Sequence, residues 1–106
     1  LPSFLAGDFL LIKEKVYQVT RLDRRKAKLK LMESPYTKKM VEIDTLRSPN
    51  ILDHPIDTQI ISSRKDQFLL LDPYTHHTVE AVCPNNSKGE NVRALRFGNE
   101  TFFIWD

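Results

Sequence analysis

Hydrophobic and polar positions alternate along much of the chain with a period of two residues, which is the period of a β-strand. The clearest case is a segment in which Ala27, Leu29 and Leu31 alternate with Lys28 and Lys30. This pattern predicts a strand with aliphatic side chains on its core face and lysines on its opposite face. No window of a dozen residues places apolar side chains at helical spacing between usable caps. We therefore expect an all-β chain.

Turn residues separate the strand-like segments at intervals of roughly ten residues. We expect strands at residues 9–12, 16–22, 27–31, 41–44, 58–63, 68–71, 77–82, 92–97 and 101–105. Short strands at this spacing are typical of β-barrels and β-sandwiches.

The pattern breaks around residues 47–55, where Pro49 and Pro55 each lack the backbone donor that a central strand needs. We expect a domain boundary there. The interpretation is an SH3-like, KOW-like barrel in residues 1–53, followed by a small OB-like barrel in residues 54–106.

Charge is distributed unequally between the two halves. Residues 1–47 hold 11 Lys and Arg against 6 Asp and Glu, whereas residues 48–106 hold 5 against 8. The halves therefore carry +5 and −3, although the net charge of the chain is only +2. This asymmetry indicates that the first half faces a polyanion.

The composition, with 41% hydrophobic and 28% charged residues, is that of a globular protein. The longest apolar runs, such as residues 68–71, are too short to cross a bilayer, so we expect no membrane partner. Cys83 is the single cysteine, which favours a reducing compartment such as the cytoplasm. Because the chain begins with Leu1 rather than methionine, we expect a processed product or part of a larger protein.

Candidates for catalysis or metal binding are few. His76, His77 and Cys83 are close in sequence, but adjacent histidines on a strand point to opposite faces and no usual ligand spacing is present. The aspartates lie where turns favour local hydrogen bonding. We expect a protein that is not an enzyme, with no catalytic residues, no metal and no cofactor.

A basic cluster surrounds the predicted hairpin that ends the second strand. Its members, the candidate RNA-binding residues, are Arg21, Arg24, Arg25, Lys26, Lys28, Lys30, Lys38 and Lys39. Such cations can lie along a phosphate backbone. The alternative is that exposed lysines serve solubility and protect sheet edges. Tyr17, Tyr36 and Tyr74 are candidates for stacking on bases or for contacting a protein partner, although aromatic residues on strands more often pack in cores.

The order of segments resembles bacterial elongation factor P and the eukaryotic and archaeal initiation factor 5A. The opening Gly7-Asp8-Phe9 strand, continuing to Tyr17 and Val19, is similar to the start of the family's first barrel. Residues 28–42 are similar to a later hairpin of that barrel. Residues 68–79 resemble the family's Met-Asp-x-x-Thr-Tyr segment, and residues 92–100 its closing hairpin. The resemblance implies an SH3-like barrel followed by an OB-like barrel.

The chain departs from that family at one loop. The family carries a modified lysine or arginine on a longer, Gly-rich loop of the first barrel, whereas residues 22–26 are short and contain no glycine. Arg25 or Lys26 takes the equivalent tip. We expect a translation-factor-like module that binds the ribosome or another RNA through its basic face. The alternative is a Tudor-like or SH3-like protein-interaction module within a larger scaffold.

Overall fold

The described part of the chain folds into β-strands and contains no α-helix. The structure is a computed structural model that describes residues 3–34, 37–46 and 49–106. These residues form eleven strands in three sheets, in which every strand pairing is antiparallel. The all-β prediction is confirmed. None of the helices among the described residues is long and apolar enough to cross a membrane.

The chain divides into two compact units, Leu1–His54 and Pro55–Asp106. Unit 1 holds one five-stranded sheet with the strand order β4-β3-β2-β1-β5. Its strands are β1 (Phe9–Ile12), β2 (Lys15–Leu22), β3 (Lys26–Leu31), β4 (Lys38–Glu42) and β5 (Asn50–Ile51). Among the described residues no strand pairing joins β4 to β5, so this sheet has two edges and is not closed by hydrogen bonds.

The core of unit 1 follows from the alternation of side chains along β2 and β3. Val19, Ala27 and Leu29 are completely buried, and Phe4 and Leu10 pack into the same cluster. On β3, residues of one parity therefore line this core, and residues of the other parity are left for the opposite face.

Strand β4 ends earlier than the sequence pattern predicts. The expected strand through residue 44 is wrong beyond Glu42, because Ile43–Thr45 form a turn of 3-10 helix. The Thr45 hydroxyl donates to the Glu42 carbonyl at 2.7 Å, and the Leu46 amide donates to the Ile43 carbonyl at 2.9 Å. Local bonds from a threonine side chain compete with the sheet ladder and end the strand.

Unit 2 consists of two three-stranded sheets, with the strand orders β11-β10-β6 and β7-β8-β9. The strands are β6 (Ile56–Thr58), β7 (Ile60–Arg64), β8 (Gln67–Leu71), β9 (Thr78–Val82), β10 (Val92–Phe97) and β11 (Glu100–Trp105). Phe68 and Leu70 from one sheet cluster with Val92 from the other. The Phe68 and Trp105 rings meet edge to face, with centroids 5.1 Å apart.

The single strand expected at residues 58–63 is wrong, since β6 and β7 belong to different sheets. The chain changes sheets at Gln59, which lies outside both strands and whose carbonyl accepts a hydrogen bond from the Leu71 amide at 3.0 Å. Periodicity alone cannot detect such a change, because both short segments remain extended.

Candidate nucleic-acid interface

The interior strand β3 carries lysines on the side that points away from the core of unit 1. Ala27 and Leu29 are completely buried, whereas Lys28 and Lys30, which alternate with them, are half-buried. Because successive side chains of a strand point to opposite faces, the lysines project away from the core. The sequence prediction for this strand is confirmed.

Strand register adds two further cations to that side of the sheet. Lys38 on β4 is the direct partner of Lys30, and Arg21 on β2 is the partner of Lys28. Directly paired residues of antiparallel strands have side chains on the same face, about 5 Å apart. We call Arg21, Lys28, Lys30 and Lys38 the basic face.

A β-bulge at Thr20 places Arg21 on the basic face. The pairing runs from Val19 with Leu29 to Arg21 with Lys28, so Thr20 is the extra residue of β2. The Thr20 hydroxyl donates to the Lys28 carbonyl at 3.1 Å. Without the extra residue, strict alternation would turn Arg21 toward the core side together with Val19.

Three cations of the basic face have no carboxylate at salt-bridge distance among the described residues: Lys28, Lys30 and Lys38. Arg21 differs, because its Nη2 lies 3.0 Å from Asp23 Oδ2. Both partners of that pair are exposed, so it holds the arginine weakly. Lys30 and Lys38 face each other directly, and paired like charges destabilise a sheet. The face therefore concentrates positive charge that the described residues of the protein do not neutralise.

The hairpin tip adjoins the basic face. Arg24 and Arg25 are exposed at the turn between β2 and β3, and Lys26 Nζ is 3.9 Å from Glu42 Oε1. Lys26 points to the same side as Lys28 and lies about 7 Å from it along β3, which is within the Debye length of roughly 8 Å at physiological salt. The tip therefore extends the basic face, although Lys26 has a carboxylate beside it.

Lys39 and Tyr17 lie on the core side of the sheet rather than on the basic face. Lys39 is the partner of Leu29, and its Nζ lies 4.6 Å from the centroid of the Tyr17 ring. Tyr17 is only 8% exposed and belongs to the core cluster. The ring is held between the core and a cation–π contact, so a base would have to displace Lys39 to stack on it.

Of the other two candidate tyrosines, the structure describes only Tyr74. Tyr36 lies outside the described residues. Tyr74 belongs to unit 2, where its hydroxyl donates to the Ala94 carbonyl at 3.1 Å. That hydrogen bond fixes the Tyr74 ring against β10.

Two residues of the basic side were not predicted from the sequence. Gln18 is the partner of Lys30 on β2, and Met40 is the partner of Lys28 on β4. Met40 is 46% exposed, so an apolar side chain lies among the cations. Neither residue type draws attention in a sequence, and only the register brings them beside the lysines.

A buried carboxylate organises a loop of unit 2. Asp72 is 3% exposed, and its Oδ1 accepts hydrogen bonds from the amides of Tyr74 at 2.9 Å and Thr75 at 3.3 Å. The predicted local hydrogen bonding by this aspartate is confirmed. Burial alone would raise the pKa of Asp72, but hydrogen bonds from the Thr101 hydroxyl and the two amides stabilise the ionised form and lower the pKa. Arg96 donates to Thr101 at 2.8 Å and lies 3.9 Å from Asp72 Oδ2.

A surface groove of about 270 Å³ in unit 2 is lined by Cys83 together with Phe68, Lys65 and Lys88. The Cys83 thiol contacts the carbonyls of its own loop, with Sγ 3.6 Å from the nearest one, and its side chain packs against the core. Within residues 3–34, 37–46 and 49–106, no group of three or more His, Cys, Asp or Glu residues is arranged to hold a metal ion.

Comparison with known proteins does not help to interpret these surfaces. Comparison with family models, with curated proteins and with solved structures finds no match for this chain.

Proposed function

We propose that this protein is a non-catalytic module that binds the ribosome or another structured RNA through the basic face of unit 1. The observation that carries the proposal is the placement of Lys28, Lys30 and Lys38 on one side of the sheet, without a carboxylate partner among the described residues. Neutralising RNA phosphates with such cations releases counterions and gives salt-dependent affinity.

The position of the lysines favours binding over edge protection. Lys38 is on the edge strand β4, where a lysine discourages pairing with another chain. Lys28 and Lys30, however, are on β3, which is hydrogen-bonded to a strand on each side. An interior strand has no free edge to protect, so edge protection does not account for these two lysines; we propose an external anion, with solubility as the remaining alternative.

The finer fold that we propose is the SH3-like barrel followed by an OB-like barrel of elongation factor P and initiation factor 5A. It is supported by the order of segments that resemble that family. The short turn at Arg24 and Arg25 replaces the family's modified loop, so the proposed contact with RNA is made by the sheet face and not by a modified tip. A reducing compartment, the cytoplasm, belongs to the same proposal.

The test compares two triple charge reversals that change the net charge equally. One is Lys28→Glu/Lys30→Glu/Lys38→Glu on the basic face. The matched control is Arg64→Glu/Lys65→Glu/Lys88→Glu, which alters three exposed cations of unit 2 that form no ion pair with described residues. Binding to ribosomes and to a structured RNA is measured at two salt concentrations, and thermal unfolding checks that each variant is folded.

We expect the basic-face variant to lose about a hundredfold in affinity, and the control to lose only a few-fold through its net charge. Equal losses in the two variants, or no association of the unaltered protein at low salt, would overturn the proposal.

A second candidate function is a protein-interaction module, and exposed Met40, which lies beside Lys28 on the edge strand β4, favours it. An acidic partner with an apolar side chain would complement such a surface. Affinity capture after nuclease treatment distinguishes the two functions. A protein partner that is retained when RNA has been removed, and that is lost in Met40→Ser, supports the second.

A further inference from the structure

The residues of the basic face are arranged in two rows across the sheet. Gln18, Lys30 and Lys38 are direct partners on β2, β3 and β4 and form the first row. Arg21 and Lys28 form the second. Neighbouring strands are about 4.8 Å apart, so the outer Cα atoms of the first row are separated by about 10 Å. Long side chains spaced in this way can converge on one small anion.

The first row has the donors that one phosphate needs. Two ammonium groups and one amide can each donate to a phosphate oxygen. Gln18 makes no side-chain hydrogen bond with the described residues, and Lys30 and Lys38 repel each other when nothing lies between them. An anion held between the two lysines removes that repulsion, so this row gains more from binding than isolated surface lysines would.

The second row lies two residues along β3 from the first, which corresponds to about 7 Å. That distance is close to the separation of successive phosphates in one nucleic-acid strand. Among the described aromatic residues of unit 1, Phe4 and Tyr17 are buried in the core, and Phe9, the β1 partner of Gln18, is only 3% exposed. The described residues of this surface thus offer donors for the backbone and no stacking platform for bases.

On the basis of the proposed function, we infer that the basic face holds two successive phosphates of one RNA strand that runs along β3. The row of Gln18, Lys30 and Lys38 shares one phosphate, and the row of Arg21 and Lys28 takes the next. Recognition is therefore of the phosphodiester backbone and is independent of base sequence.

Salt dependence distinguishes a shared phosphate from separate ones, because the slope of log affinity against log salt counts the phosphates that are neutralised. Two double variants with the same loss of charge are compared on one RNA duplex. Lys30→Ala/Lys38→Ala removes both lysines of the first row, and the slope should decrease by about one. Lys28→Ala/Lys30→Ala removes one lysine from each row; because Lys38 still holds the first phosphate, only the second phosphate is lost and the slope should again decrease by about one. Arg21→Ala is included in the background of both double variants, so that Arg21 does not hold the second phosphate in place of Lys28.

Gln18→Ala gives an independent measurement. The amide is a neutral donor, so its loss should weaken binding by about threefold while the salt slope stays unchanged. Two duplexes of equal length and permuted sequence should bind within twofold of each other.

A slope decrease of about two in either double variant would show one phosphate per lysine and overturn the shared site while leaving RNA binding intact. A preference above tenfold between the permuted duplexes would overturn backbone recognition. Failure of the unaltered protein to bind any RNA at low salt would instead overturn the proposed function, and this inference with it.

Discussion

The loop around Asp72 in unit 2 and the basic face of unit 1 use charged side chains in opposite ways. In unit 2, Arg96 is bound to Thr101 beside the buried Asp72, and Arg93 Nη2 lies 3.3 Å from Asp106 Oδ1. In unit 1, the lysines of the basic face meet one another rather than carboxylates. The buried, hydrogen-bonded charge of Asp72 holds the fold of unit 2 together, whereas the facing lysines of the basic face cost stability and remain available to an external anion.

The location of the charges explains the difference. Asp72 connects the loop after β8 to the β10–β11 hairpin, so its hydrogen bonds join segments that are distant in sequence. Lys28 and Lys30 lie on a strand whose fold is already secured by Ala27 and Leu29 beneath them. The apolar half of β3 stabilises the sheet, which leaves the polar half free for binding.

The largest effect is expected when the carboxylate of Asp72 is removed from the loop that it organises. Asp72→Ala leaves the amides of Tyr74 and Thr75 without their acceptor and removes the partner of the Thr101 hydroxyl. We expect unit 2 to lose about 3 kcal/mol in its free energy of unfolding. Urea unfolding followed by the fluorescence of Trp105, the single tryptophan, reports this unit.

The matched control is Asp66→Ala, which alters an exposed turn aspartate of the same unit. Its effect should stay within about 0.5 kcal/mol. If both variants unfolded at the same urea concentration, Asp72 would not be the residue that secures the loop, and the contrast between the units would lose its basis.

A smaller effect on stability is expected when the pH is lowered and Asp72 becomes protonated. The pKa of Asp72 is lower in the folded protein than its ordinary value of 3.8. The stability contributed by its ionised form is therefore fully present above the pKa of the unfolded chain, and it is lost as the pH falls through the lower pKa of the folded state. Urea midpoints at pH 5 and pH 3 should fall more in the unaltered protein than in Asp72→Asn. A parallel fall in both would assign the acid sensitivity to other carboxylates.

Local patterns in the sequence predict much of this fold. Strand β10 was predicted with its observed ends, and the core and solvent positions of β3 follow from alternation alone. The bulge at Thr20 could not be predicted, because it depends on how β2 pairs with β3, and it decides on which side Arg21 lies.

Membership of the candidate site was harder to predict for the same physical reason. Lys38 and Lys39 are both exposed lysines on β4. The register nevertheless places Lys38 beside Lys30 and Lys39 over the Tyr17 ring. A one-residue shift exchanges the faces of a strand, and register is a long-range property that no short segment contains. The sequence therefore identified the cations but not the surface that they share.

The smallest effect is expected in unit 1, where replacing one of two facing like charges should stabilise the fold. In Lys38→Glu the new carboxylate faces Lys30, so a like-charge pair becomes an ion pair and the unfolding free energy should rise by about 0.5 kcal/mol. Thermal unfolding followed by circular dichroism measures the gain, and high salt should abolish it.

Lys39→Glu, one residue along the same strand, is the control, because it loses the contact with the Tyr17 ring and should not stabilise the protein. A gain in stability accompanied by weaker RNA binding would show that unit 1 retains Lys38 for its ligand at the expense of its own fold. A loss of stability would mean that Lys30 and Lys38 do not repel each other in the folded protein, and the contrast with unit 2 would then rest on Asp72 alone.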